Sequence, residues 1–466
     1  MRTIPLLATT IISFGLTSIA QAQGQKIPEY KGTKQLMEGP YSNNLDAASY
    51  FQVGVKLYGR RDFPGAERAF RKALEFDPYM AMGRYLLANT FLQQGKNQLA
   101  LEQYQIAIAL DPTLSQAYYN LGIAFYKEGA PNSAIAAYRQ ALSFNPESAD
   151  IYYNLGLALE SQGNQEEAIE HYQATIRLDP DYGKAYYNMG LILVEQDQIG
   201  PATTALRQAV RTQPKLEKAH YQLGLLLVEQ GEKSAAEESF REAVKVDPKL
   251  APAQYQLAVI LFEKGELAEA ITRFRLVTEL EPENVDAYRQ LGAALTANGE
   301  YAEAVTTLKL AVQLDPYHAL THYNLGVALQ QQEQYEEAMA EYQQALSLSP
   351  ALAEGHYNLG VVLEKSQQRE EALSSLVKAR ELFAFAGNEE KVAEVDEYIK
   401  QLEAQEKLVD TQETPEVDSP EIPQMKSPEI LEVESQETPE VQSTETEQME
   451  SEKSEPERGI RDILPH

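Results

Sequence analysis

The chain contains no cysteine and no tryptophan among its 466 residues, only six histidines, and 40 basic against 70 acidic side chains. The missing cysteines remove disulfides, thiolate metal ligands, cysteine nucleophiles and lipoprotein attachment together, so stability rests on packing alone. The deficit of positive charge, a formal net of -30, argues against nucleic acid and anionic lipid as partners, since both attract basic surfaces. Long apolar runs are also scarce. The one candidate lies at the start, where Arg2 precedes an apolar stretch from Ile4 to Ile19 and a small-residue site at Ala20-Gln21-Ala22. This pattern predicts a cleaved secretory signal peptide over 1–22, with an uncleaved N-terminal anchor as the alternative. No later stretch is apolar for long enough to cross a bilayer. Export is the expectation, with the periplasm first and the thylakoid lumen or extracellular space also open.

Against these absences stands a strict repeat. Prolines fall at 78, 112, 146, 180, 214, 248, 282, 316 and 350, each 34 residues after the last. With proline at repeat position 32, units begin at 47, 81, 115, 149, 183, 217, 251, 285 and 319, and a tenth without the proline begins at 353. Apolar residues fall at helical spacing, as in Tyr118, Leu121, Gly122 and Phe125, then Ala134, Ile135, Tyr138 and Ala141, which predicts two short helices per unit. Gly95, Gly129, Gly163, Gly231, Gly265 or Gly299 marks the break between them, and the proline stops the second helix. Glycine recurs at position 8 and alanine at position 20, where helix backbones must approach closely.

An aromatic-x-x-Leu-Gly, an Ala twelve residues on, an aromatic four further and a closing Pro resemble the tetratricopeptide repeat. The resemblance covers about 340 of the 466 residues and implies an all-α fold, a right-handed α-solenoid superhelix of helix-turn-helix repeats over 47–386. Arg61, Asp197, Glu333 and Gln367 depart from the family by replacing the turn glycine, and Arg84 and Leu86 disturb the second unit. After the repeats, Val392, Val395, Ile399 and Leu402 share one helical face, which predicts a capping helix over 387–407. Residues 23–46 form an irregular leader, either docked on the first unit or left mobile. From 408 to 466, "QETPEV" and "SPEI" each occur twice in a Pro, Glu, Ser and Thr background that predicts a disordered acidic tail.

Function is expected on the first helices. Position 6 is a side-chain amide in nine of ten units, and position 5 is mostly tyrosine. The resemblance implies that these helices line a concave groove, whose candidate peptide-binding residues are Tyr119, Asn120, Tyr153, Asn154, Tyr187, Asn188, Tyr221, Gln222, Tyr255, Gln256, Gln290, Tyr323, Asn324, Tyr357 and Asn358. An amide offers both a donor and an acceptor to an extended backbone, and tyrosine adds apolar area with a polar tip. The arrangement is similar to the asparagine ladder in the repeats of protein O-linked N-acetylglucosamine transferase, matched here at Asn120, Asn154, Asn188, Asn324 and Asn358. The plainer reading is that the amide helps fix the helix pairs. Repeats that clamp acidic chaperone tails carry Lys at position 5 and Asn at position 9; Tyr and aliphatic residues stand there in this chain, although Lys127, Lys184, Lys218 and Lys365 leave some positive charge nearby.

Other constellations point to structure. His318 and His322 have metal-ligand spacing, but His220, His322 and His356 all fall at position 4, where other units carry tyrosine, so a packing role is expected and no metal or cofactor. No nucleophile elbow, phosphate-binding glycine loop or dinucleotide fingerprint occurs, and no segment of catalytic-domain size is left over, so no enzyme is expected. The basic cluster Lys56, Arg60, Arg61, Arg68, Arg71 and Lys72 is an exposed helix face or a dock for an acidic segment. The expectation is a scaffold binding partner proteins or extended peptide segments in cell-envelope assembly or trafficking, its oligomeric state left open. The alternatives are a structural component of an export or polysaccharide-secretion complex, or a substrate-presenting subunit of a separate enzyme.

Overall fold

The computed structural model describes residues 42–410, with side chains to 404; the stretch expected to be a signal peptide, 1–22, most of the expected leader and the expected tail from 411 on lie outside the described residues. Twenty-one helices, α1 to α21, follow one another among the described residues in an all-α solenoid. The first pair is α1 (Leu45–Gly59) and α2 (Phe63–Phe76), and the pattern repeats to α19 (Ala353–Lys365) and α20 (Arg369–Phe385). Each first helix packs on its own second helix, and most first helices also touch the first helix of a neighbouring pair. The first helices therefore run along the inner side of the curve, and the second helices form the outer side.

Repeat position 24 holds the pairs together. Phe70, Tyr104, Tyr138, Tyr172, Leu206, Phe240, Phe274, Leu308, Tyr342 and Leu376 are all at most 1% exposed. Each large side chain sits against position 8 of the first helix, where glycine or alanine leaves room. A Cβ at Gly122 would stand 2.4 Å from the Tyr138 ring, and one at Gly292 the same distance from Leu308. Alanines at position 20, from Ala66 to Ala372, are sealed completely, as close helix approach requires.

The turn inside each pair demands a left-handed residue. Gly95, Gly129, Gly163, Gly231, Gly265 and Gly299 have φ between 71 and 80°, and Arg61, Asp197, Glu333 and Gln367 hold the same region at 58 to 62°. The next amide then bonds back five residues, as in Lys96 to Phe91 O at 2.9 Å and Gln334 to Leu329 O at 3.0 Å, closing the first helix. The four departures thus keep the turn without glycine, at the cost of a strained backbone. At the far end, α21 (Glu389–Asp410) lays Val395 and Leu402 on Leu376, Ala379 and Phe383, with Val392 and Ile399 partly buried beside them. No described helix is long and apolar enough to cross a membrane.

Two substitutions test this account in urea unfolding. Gly122→Ala should cost about 1–3 kcal/mol, because the Tyr138 ring has to shift. Glu333→Gly should be neutral to stabilising by up to about 1 kcal/mol, since it relieves left-handed strain against a gain in unfolded-state entropy; a clear loss would refute the strain.

Candidate functional site: the inner wall

The inner wall is built from the tyrosines at position 5 and the amides at position 6. Each tyrosine ring leans on the position-24 side chain of its own pair, with Tyr119–Tyr138, Tyr153–Tyr172, Tyr221–Phe240 and Tyr323–Tyr342 centroids 5.8 to 6.0 Å apart. For Tyr85, Tyr119, Tyr153, Tyr255 and Tyr323 the hydroxyl then reaches the next repeat and accepts from that repeat's amide. Asn120 Nδ2 donates to Tyr85 at 3.1 Å, Asn154 to Tyr119 at 3.0 Å, Asn188 to Tyr153 at 3.3 Å and Asn358 to Tyr323 at 3.0 Å. Gln290 bonds to Tyr255 in the same sense. The bonds join residues 35 apart, one repeat plus one position, so each rung ties neighbouring repeats to each other.

Burial follows from this role. Asn120, Asn188, Gln222, Gln290, Asn324 and Asn358 are buried, while Asn154 and Gln256 are partly exposed. Tyr153, Tyr221 and Tyr323 are buried as well; Tyr119, Tyr187, Tyr255 and Tyr357 keep part of their surface on the wall. Burial pushes the hydroxyls of Tyr119, Tyr187, Tyr221, Tyr255 and Tyr357 well above the usual phenol range, so the rungs are neutral at any physiological pH. The structure therefore brings the candidate residues onto the first helices at equivalent places, linked from repeat to repeat at Asn120, Asn154, Asn188, Gln290 and Asn358. Their amide donors, read from sequence as offered to a ligand, are spent between repeats where a bond is seen.

One rung is ionic. Arg289 replaces the tyrosine of the eighth repeat and is buried, its Nε donating to Thr321 Oγ1 at 3.0 Å and its Nη1 to Asp286 at 2.6 Å, with Nη2 on Asp315. All three branches have acceptors, which is the condition for burying a guanidinium.

Sequence reasoning passed over Glu160, at position 12 and the C-terminal end of α7 (Ala149–Glu160). Tyr172 Oη donates to its Oε2 at 2.5 Å. Burial is the main cause that lifts its carboxyl to about 7, aided by the nearby Glu195 and opposed by the Tyr172 bond. Gln330 fills the same position in the ninth repeat, and its Oε1 accepts from Tyr342 Oη at 2.7 Å. In the sequence, Glu160 is one carboxylate among many and carries no signal that sets it apart.

The position-4 side chains have a different task. His220, His322 and His356 each place Nε2 3.1 Å from the carbonyl of Pro214, Pro316 or Pro350, and Gln254 Nε2 donates to Pro248 O at 2.9 Å. They close the carbonyl left at the end of the preceding second helix. His318 instead caps its own helix through Thr321, so the two histidines four apart serve separate partners.

The outer side carries a second ladder. Arg139–Glu167, Arg241–Glu269, Arg275–Glu303 and Lys309–Glu337 join residues 28 apart at 2.5 to 3.0 Å. In the basic cluster, Arg71 pairs with Glu67 and lies 5.3 Å over Phe91, and Lys72 pairs with Glu75.

Removing one rung should weaken the joint between repeats. Tyr153→Phe is expected to cost about 1 kcal/mol in urea unfolding, and a double-mutant cycle with Asn188→Ala should show coupling. Zero coupling would mean that the rung does not bind repeats together. For Glu160 the sign is fixed by its raised pKa: the neutral form fits the fold, so its contribution is whole below about 4.5 and is lost as pH rises through about 7. Glu160→Gln should therefore match the wild type near pH 4.5 and exceed it at pH 8 by about 1–2 kcal/mol.

A tetratricopeptide repeat model matches residues 119–183, 187–254 and 221–278, and a TPR repeat model matches 88–129, 259–299, 294–333 and 331–367. No curated protein matches the chain. Among solved structures it is similar to MamA, at 33% identity over 36% of this chain and 97% of that one, with a TM-score of 0.34. It is also similar to YrrB, described as a TPR protein with an unusual peptide-binding site, at 27% identity over 40% of this chain and 96% of that one, TM-score 0.37. The pilF protein of Pseudomonas aeruginosa shares 21% identity over 48% of this chain and 97% of its own, TM-score 0.41. With its 34-residue helix pairs matched by these models from residue 88 to 367, the chain belongs to the tetratricopeptide repeat family.

Proposed function

We propose that the protein is an exported, non-catalytic scaffold that holds extended segments of partner proteins along its inner wall. The observation that carries this reading is the line of partly exposed Tyr119, Tyr187, Tyr255 and Tyr357, with Asn154 and Gln256 between them. A line of amphipathic rings two or three repeats apart, with amides between them, suits an extended chain with no fold of its own. The amide donors fix the wall. Because the Tyr119 bond engages only the Nδ2 side of the partly exposed Asn154, its Oδ1 is the acceptor that, in this reading, takes a backbone N–H group of the partner, while the buried Asn120, Asn188 and Asn358 hold the wall. Binding spread over many rungs makes the contact depend on length more than on any single residue.

Export through residues 1–22, into a periplasm first of all, would put this work in envelope assembly or trafficking. N-terminal sequencing of the mature protein is expected to begin at Gln23; an intact Met1 would remove the cleaved signal peptide, and an intact Met1 on a protein found wholly in the cytosolic fraction would remove the export reading. Photo-crosslinkers at Tyr187 and Tyr255, with Glu238 as an exposed outer control, should capture the same few proteins in cells from the inner sites only. Capture from Glu238 alone would favour a structural component whose outer side makes the contacts.

A further inference from the structure

Glu160 is an ionisable acceptor where a neutral one serves equally well. Gln330 accepts the same tyrosine hydroxyl at the same repeat position, and it does so without a charge to desolvate. A carboxylate there is costly twice over, through burial and through its place at a helix C-terminus, where the macrodipole disfavours an anion. Even on the second helices, where solvent makes a charge cheaper, Glu67, Glu167, Glu237, Glu269, Glu303 and Glu337 each have an arginine or lysine within 3.1 Å. Glu160 has no such partner among the described residues; its bond is to the neutral hydroxyl of Tyr172. A group that lowers stability while a neutral replacement stands in the same chain is a mark of function.

Its surroundings define what would complete it. Tyr126, near the end of α5 (Ser115–Lys127), and Tyr187, on α9 (Gly183–Glu195), stand close enough for the Glu160 charge to raise both hydroxyls, and both rings are partly exposed. From α8 (Gln165–Leu178) comes Tyr172. Glu195, exposed at the end of α9, adds a second carboxylate within electrostatic range, held by Gln165 Nε2 at 2.5 Å. Lys127 follows Tyr126 on α5; burial depresses its ammonium, and neither carboxylate is among the causes of that shift. The result is a partly exposed carboxylate with no counter-ion among the described residues, bonded to Tyr172 and with two partly exposed tyrosines within electrostatic range.

We propose that this subsite between the fourth and fifth repeats takes one lysine or arginine side chain of the partner segment, with Glu160 as its anion and Tyr126 and Tyr187 as its aromatic sides. The proposal rests on the inner wall being the peptide-binding surface. A cation over a tyrosine face and beside a carboxylate gains from both, and more so where water is thin. Binding would draw Glu160 into its charged form and release a proton when the pH is below about 7.

The test uses the full chain and fluorescein-labelled, end-blocked dodecapeptides of repeated Gly-Ser-Lys or Gly-Ser-Gln, with affinity read by anisotropy at low salt. The lysine peptide should bind wild type roughly five- to tenfold more tightly at pH 8 than at pH 6, following the ionised fraction of Glu160, while the glutamine peptide shows no such trend. Glu160→Gln, which keeps the Tyr172 bond, should abolish both the pH dependence and the preference for lysine and leave the glutamine peptide unchanged. If the variant retains the lysine preference and pH profile, or if both peptides bind alike to both proteins, the subsite is overturned while the groove stands. If neither peptide binds, or if binding survives Tyr187→Ala with Tyr255→Ala, the inner-wall reading falls and the subsite with it.

Discussion

A large side chain seated in a notch on the facing helix is the contact on which everything else depends. The second helix of each pair brings a ring or a leucine to position 24, and the first helix offers glycine or alanine at position 8. Because this contact allows one depth and one rotation, it fixes the angle between paired helices. That angle presents the first helix edge-on to the next repeat, and the stacking of pairs follows. A short helix pair could not cover its own apolar face in water, so the notch and the stacking succeed or fail together.

The two sides of the solenoid then use different chemistry to hold the same register. On the outside, Arg139–Glu167 and its equivalents span neighbouring repeats through charge, each pair solvated and worth little alone. On the inside, where water is partly excluded, neutral hydroxyl-to-amide bonds do the same, since an unpaired charge would be expensive there. Arg289 shows what ionic chemistry needs on the inner side: two carboxylates and a hydroxyl around one guanidinium.

Period and fold were legible in the sequence because both rest on spacing. The 34-residue proline interval, the small residues at positions 8 and 20 and the turn glycines each have one steric meaning, and the structure gives them that meaning. Arg61, Asp197, Glu333 and Gln367 kept the turn because backbone hydrogen bonding over-determines it. The direction of the amides was not legible. Tyr-Asn at positions 5 and 6 is equally consistent with a side chain aimed at a ligand and one aimed at the preceding repeat; only the placement of Tyr119 beside Asn154 decides where that donor goes. Glu160 was hidden for a related reason, since a carboxylate near many others looks solvated until the fold buries it.

The inner wall joins these threads, because the same residues must hold the repeats and present a surface. An amide has enough valence for both: its N–H side locks the tyrosine of the preceding repeat, and its carbonyl remains for something else. A tyrosine divides its duties likewise, with a ring packed on position 24 and an edge left on the wall, as at Tyr119 and Tyr255. A wall made this way is preorganised, so a chain laid along it would order itself without ordering the protein. Glu160 is the point at which economy gives way. The rungs near it are neutral and hydrogen-bonded, so an unneutralised carboxylate there adds a charge that the ninth repeat, with Gln330 in its place, does without.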